Sequence, residues 1–103
     1  MLNLLHTDIN AGVTKYKETN GAILLDVRTE EEYHDGHIDG SVNLPLDKIS
    51  LIENTVTNKN TPLYVYCLSG GRSRQAAAHL KKMGYTNIKN IGGINRYLGK
   101  VVK

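Results

Sequence analysis

A chain of 103 residues, 40% apolar and 22% charged, has the make-up of one ordinary folded domain spanning residues 1–103, with no length left for a second core. A formal net charge of +3, spread evenly along the chain, is too mild to point to nucleic acid, although it helps to attract small anions. No apolar run approaches a membrane span, and MLNLLHTD lacks the basic start and apolar core of a secretory signal. A lone free thiol sits more comfortably in a reducing compartment, so a cytoplasmic location is expected.

Short apolar runs alternate with helical patterns, the mark of a parallel sheet covered on both faces. Leu2–Leu5 reads as a short first strand. Asp8 can cap a helix whose apolar face is Ile9, Val13 and Tyr16, stopped by Asn20-Gly21. Ala22–Val27 is a continuously apolar run, as a doubly covered strand should be. Thr29-Glu30-Glu31-Glu32 has the pattern of a capping box opening a short helix, which Gly36 ends. Ser41–Leu44 is a brief strand closed by Pro45. A helix from Asp47 to about Glu53 then leads into a polar loop, Asn54–Thr61.

Leu63–Cys67 is the second strong strand, rich in β-branched and aromatic residues. A glycine-containing loop, Leu68-Ser69-Gly70-Gly71-Arg72, bends into a helix that starts near Ser73. Ala76, Ala77, Leu80 and Met83 form the helix's apolar face, and Gly84 gives a left-handed stop. Ile88–Ile91 is a last strand, Gly92-Gly93 a turn, and Ile94–Leu98 a terminal helical turn. With no Phe and no Trp, the core must be filled by Leu, Ile, Val, Ala and the six tyrosines.

Cys67 is the single cysteine, so it has no internal disulfide partner. Base rates favour burial of a lone thiol as a small hydrophobe. Its neighbours reverse that preference. Cys67 ends a core strand, where ligands bind in open α/β sheets. Gly70 and Gly71 allow successive amides to converge on one point, and the first amides of the next helix point the same way. Sulfur at the centre of such a bowl is held as the anion. Arg72 closes the loop and reads as an anion-binding group; Arg74 fits anion binding and plain surface charge equally well. Ser69 and Ser73 can donate to the sulfur or cap the helix, and for Ser73 the cap is favoured.

Four residues separate Cys67 from Arg72, one fewer than in cysteine phosphatases. The tighter ring suits one extra sulfur atom better than a tetrahedral phosphate. Asp26 and Arg28 end a core strand and could reach the loop; they read first as a structural ion pair or hydrogen-bonded pair, with direct recruitment of an anion by Arg28 as the alternative. His37 reads as a turn residue bonded to backbone. His6, His34 and His79 show no metal-ligand spacing with one another or with Cys67, so no metal is expected.

From about Ala22 to Tyr97 the sequence resembles the rhodanese family of sulfurtransferases in its single-domain form. The resemblance rests on Leu25-Asp26-Val27-Arg28, on the run from Glu32 to Ser41, and on Asn43-Leu44-Pro45. It continues through Cys67–Ser73, then Ala77, Leu80, Gly84-Tyr85 and Gly92-Gly93-Ile94. Tyr97 stands where many relatives carry Trp. The resemblance implies an α/β fold with a five-stranded parallel sheet and helices on both faces, and an active-site loop of Cys67, Leu68, Ser69, Gly70, Gly71 and Arg72. It implies that Cys67 takes a sulfane sulfur from a small anionic donor such as thiosulfate and passes it to a thiol or cyanide, with no cofactor. Lacking a second rhodanese-like half, the chain would have an open site or one completed by a protein sulfur acceptor.

Three classes of function fit these residues: a sulfurtransferase, a sulfur-carrier or persulfide-sensing module that docks on a partner, and a thiol phosphatase or arsenate reductase. Loop length and the Ser-Gly-Gly content favour the first two. An arsenate reductase would also need a second cysteine to resolve its reaction.

Overall fold

The computed structural model describes residues 8–103. Helix α1 (Ile9–Glu18) starts from Asp8, whose side chain accepts the Asn10 amide, as its sequence requires. Strand β1 (Ile23–Asp26) follows, then α2 (Glu30–Asp35) with the full capping box. The Thr29 hydroxyl receives the Glu32 amide, and the Glu32 carboxylate receives the Thr29 amide. Short strands β2 (His37–Ile38) and β3 (Val42–Asn43) lead to a 3-10 segment, Leu46–Asn54, which is kinked at Lys48. Strand β4 (Leu63–Cys67), helix α3 (Gly71–Lys82) and strand β5 (Ile88–Gly93) form the second half. A 3-10 turn (Ile94–Arg96) and β6 (Val101–Val102) complete the chain.

Among the described residues the main sheet has four parallel strands in the order β3-β1-β4-β5, not the expected five. The expected first strand, Leu2–Leu5, lies outside the described residues. A separate antiparallel pair, β2 with β6, was not anticipated. His37-Ile38 had read as part of a turn, and two-residue strands carry too few residues to show a period. Gly92-Gly93, expected as a turn, continues β5 and pairs with Tyr66 and Cys67. Here sheet pairing overrides the usual turn preference of glycine.

Alternation along each central strand divides the core in two. Leu25, Val65 and Cys67 face α3 and the 3-10 segment, with Ile49, Ile52, Ala76 and Leu80. Leu24, Tyr64 and Tyr66 face α1, with Ile9, Val13 and Ile91. Burial on both faces explains why all five β4 residues are inaccessible.

Tyr66 sits fully buried beside the site, and its hydroxyl joins two elements. It accepts from the Ile38 amide and donates to Ser41 Oγ, both at 3.1 Å. Burial pushes the phenol well above its ordinary pKa, so it stays a neutral hydrogen-bonding group. Tyr66→Phe is expected to orphan the Ile38 amide and cost about 1–3 kcal/mol in urea unfolding. An unchanged midpoint would show that this bond carries no net stability.

Candidate active site

Cys67 is the last residue of β4 and only 1% exposed. Gly70 turns the chain with φ +109°, a conformation costly for any residue with a side chain, and becomes the N-cap of α3. Gly70 has no side chain to cap the helix, and the Cys67 sulfur takes that place. Cys67 Sγ accepts from the Gly70 amide at 3.0 Å and from the Ser73 amide at 3.3 Å. The thiol lies 3.5 Å from Ser73 Oγ, to which its S–H can donate. Burial pushes the thiol pKa up. Hydrogen bonds from the Ser73 hydroxyl and from the Ser73, Gly70 and Ser69 amides outweigh it, and the net direction is down.

Ser73 is therefore not the cap that the sequence favoured. It is the third residue of α3, fully buried, and its hydroxyl donates within reach of the Gly70 carbonyl and of Asn90 Oδ1. Leu68 and Ser69 are on the exposed rim of the loop. The Leu68 carbonyl accepts the Asn95 amide at 3.1 Å, which ties the rim to the turn after β5.

Gly70 and Gly71, the two glycines expected to shape the bowl, differ, since only Gly70 has a positive φ. A Cβ on Gly71 would meet nothing within 4 Å, so that residue does not guard the cradle. Gly93 does. A Cβ there would fall 2.3 Å from the Leu68 carbonyl oxygen and 2.6 Å from Ser69 Cα, both backbone atoms that cannot swing aside. Sequence reasoning assigned Gly93 to a turn, and only the β4–β5 register shows what it touches.

Arg72 is held by a carboxylate. Its two terminal nitrogens meet Glu32 Oε1 and Oε2 at 2.7 and 3.0 Å, a bidentate pair between the loop and α2. Glu32 had read only as a helix start. The Arg72 guanidinium, joined by the Thr29 amide and hydroxyl, holds the Glu32 carboxyl down to about 2. Arg28, with Asp26, forms the expected structural pair. The guanidinium grips the fully buried Asp26 carboxylate at 2.7 Å and donates to the Gly36 carbonyl. Arg74, the fourth residue of α3, is exposed. His37 bonds the Tyr33 carbonyl and stacks on the Tyr33 ring, as a backbone-bonded residue should.

Arg72 also lines a cavity of about 420 Å³ with Val27, Thr29, Pro45, Leu46 and Asp47. A second cavity of the same volume, against edge strand β3, is mostly apolar and has no residue of the cysteine loop in its wall. Of these two, only the first has a residue of the cysteine loop, Arg72, in its wall. No group of three or more His, Cys, Asp or Glu side chains among the described residues could hold a metal ion. Nor is any helix among them long and apolar enough to cross a membrane.

A cysteine closing a parallel strand, with its sulfur gathered into the amides of the next helix, defines a thiol-centred α/β domain. The family model described as Rhodanese-like domain matches residues 10–100, and the chain belongs to that family. It is 41% identical over 71 residues to the thiosulfate sulfurtransferase PspE of Escherichia coli (strain K12), covering 68% of each chain. It is 40% identical over 78 residues to the putative sulfur carrier protein YrkF of Bacillus subtilis (strain 168), covering 75% of this chain and 42% of that one. Among solved structures, a rhodanese with anions from E. coli superimposes with a TM-score of 0.74 at 37% identity, over 80% of this chain and 98% of that one.

Two outcomes follow from this geometry. Gly93→Ala is expected to lose about 1–3 kcal/mol in urea unfolding, because the methyl group must displace the loop backbone. Gly71→Ala should stay within about 0.5 kcal/mol of the parent; equal losses in both would refute the close approach at Gly93. The Glu32–Arg72 pair sets an acid limit. The folded carboxyl lies below its ordinary value of about 4.3. Its contribution is therefore complete above that value and disappears as pH falls toward about 2. Glu32→Gln should remove that part of the acid dependence when urea midpoints are compared between pH 6 and pH 2, and an identical slope would count against the pair.

Proposed function

We propose that the chain is a sulfurtransferase in which Cys67 carries a sulfane sulfur as a persulfide. The observation that carries this reading is the convergence of the Gly70 and Ser73 amides on one buried sulfur, with the Ser73 hydroxyl 3.5 Å away. Such donors stabilise a thiolate before reaction, and they suit the partial negative charge of a persulfide after it. In the first step the thiolate attacks the outer sulfur of thiosulfate. A new S–S bond forms at Cys67, the sulfur–sulfur bond of the donor breaks, and sulfite leaves with the electron pair. In the second step a thiolate or cyanide attacks the outer sulfur of the persulfide, takes it, and regenerates the Cys67 thiolate.

The names of two relatives support the same chemistry from different sides. PspE is named as a thiosulfate sulfurtransferase, and YrkF as a putative sulfur carrier. The second name favours one further reading, in which this single domain loads sulfur and hands it to a docked protein acceptor. A free thiol that must cycle through thiolate and persulfide fits the reducing cytoplasm. A phosphatase role has less support. The loop is one residue short for that chemistry, and the only arginine inside it is already paired with Glu32.

Intact mass after incubation with thiosulfate is the test. The parent should gain one sulfur atom and lose it to cyanide or glutathione, while Cys67→Ser should gain none. Fast loss with many turnovers identifies an enzyme, and one loading with slow release identifies a carrier. Absence of the adduct, with hydrolysis of an aryl phosphate, would overturn sulfur transfer in favour of phosphatase chemistry.

A further inference from the structure

Ser73 Oγ has one proton and three neighbours that want it. The Cys67 sulfur is at 3.5 Å, the Gly70 carbonyl oxygen at 3.0 Å and Asn90 Oδ1 at 2.7 Å. The Gly70 carbonyl already accepts the Arg74 amide. The orientation of the Asn90 amide is fixed independently, because the Gly92 N–H needs an acceptor and finds Oδ1 at 3.1 Å. A register shift in β5, which pairs Asn90 with Val65 but Gly92 with Tyr66, sets the Asn90 side chain over its own strand and beside α3.

While the thiol is protonated this arrangement uses every donor. The S–H points to Ser73 Oγ, and the Oγ–H points to Asn90. Ionisation breaks the order. Either the hydroxyl stays on Asn90 and presents a lone pair to the sulfur anion, or it rotates to the sulfur and leaves Asn90 Oδ1 with the Gly92 amide alone. Both cost free energy, and both costs come from Asn90.

We propose that Asn90 is a positioning residue for Cys67, which by competing for the single Ser73 proton opposes ionisation of the thiol and sets the fraction of thiolate available for attack. The inference deepens the sulfur-transfer reading and rests on it for its meaning. A bowl of amides alone would stabilise the thiolate until it became a poor nucleophile, since nucleophilicity falls with basicity. Asn90 counters that drift. When the sulfur forms its new bond and sheds negative charge, the Ser73 proton returns to Asn90. Nothing is consumed in this exchange of one hydrogen bond for another.

Other charges near the sulfur do not account for such an effect. Arg72 is paired with Glu32 of α2, and Asp26 with Arg28 at the end of β1. Lys89, the one charged residue of β5, is exposed, as are Arg74, His79, Lys81 and Lys82 of α3, Asp47, Lys48 and Glu53 of the 3-10 segment, and Lys15, Lys17 and Glu18 of α1.

The test is titration of the free thiol by its thiolate absorbance near 240 nm, with Cys67→Ser as the blank. It requires no sulfur donor, so its result is separate from the fate of the sulfur-transfer reading. Asn90→Ala should move the thiolate midpoint down by about half to one pH unit, the size of one net hydrogen bond. Asn90→Asp, which keeps both acceptor contacts and strengthens the pull on the Ser73 proton, should move it up. In a Ser73→Ala background Asn90→Ala should have no effect, and the rise with Asn90→Asp should shrink. A midpoint unchanged or raised in folded Asn90→Ala would overturn the proposal. If that variant does not fold, Asn90→Asp decides: a rise of equal size with and without the Ser73 hydroxyl would mean simple charge repulsion and overturn it equally.

Discussion

A helix that begins after a glycine has no capping side chain to receive its first amides, and α3 begins after Gly70. The acceptor comes from three residues upstream. Cys67 Sγ takes the N-cap amide and the third helical amide, the two donors that Thr29 and Glu32 satisfy between them at the start of α2. The sulfur is thus a structural cap and, on the proposed reading, the reactive group as well. Each role needs the other's geometry, because amides that satisfy a helix start also lower the energy of a thiolate.

That constraint explains where the chain tolerates no side chain. β4 must end where α3 can fold back over it, so the loop runs tightly against the end of β5. Gly93 absorbs the contact, through a pairing with Cys67 that brings two backbones together. Gly70 absorbs the turn by its left-handed backbone. Gly71, between the loop and the helix, is under neither demand, and its presence follows from no contact in the structure.

The sequence carried the outline of the site because strand end, glycines and helix start are local features. The capping box of α2, the Asp8 cap and the full extent of β4 are legible for the same reason. The relations that could not be read are between segments distant in the chain. Glu32 and Arg72 are forty residues apart, and nothing local in Thr29–Glu32 distinguishes a helix start from a partner for the loop. Nothing local marks Asn90 out from other polar strand residues, and its contact with Ser73 exists only because β5 lies beside α3. The β2–β6 pair joins two dipeptides with no pattern of their own.

The pairing of Arg72 changes what the site asks of a donor. An arginine closing a cysteine loop reads from sequence as a free hand for an anion, but this one is gripped at both terminal nitrogens. A small anion that takes up the guanidinium must compete with a carboxylate already in bidentate geometry. What stays freely offered to the reacting sulfur is neutral: backbone amides and one hydroxyl. Such a bowl stabilises charge that develops on sulfur without prescribing the net charge of the molecule that brings it. On the sulfur-transfer reading, recognition of the donor's body would then fall to walls such as those beside Arg72, formed by Val27, Pro45 and Leu46 with Thr29 and Asp47.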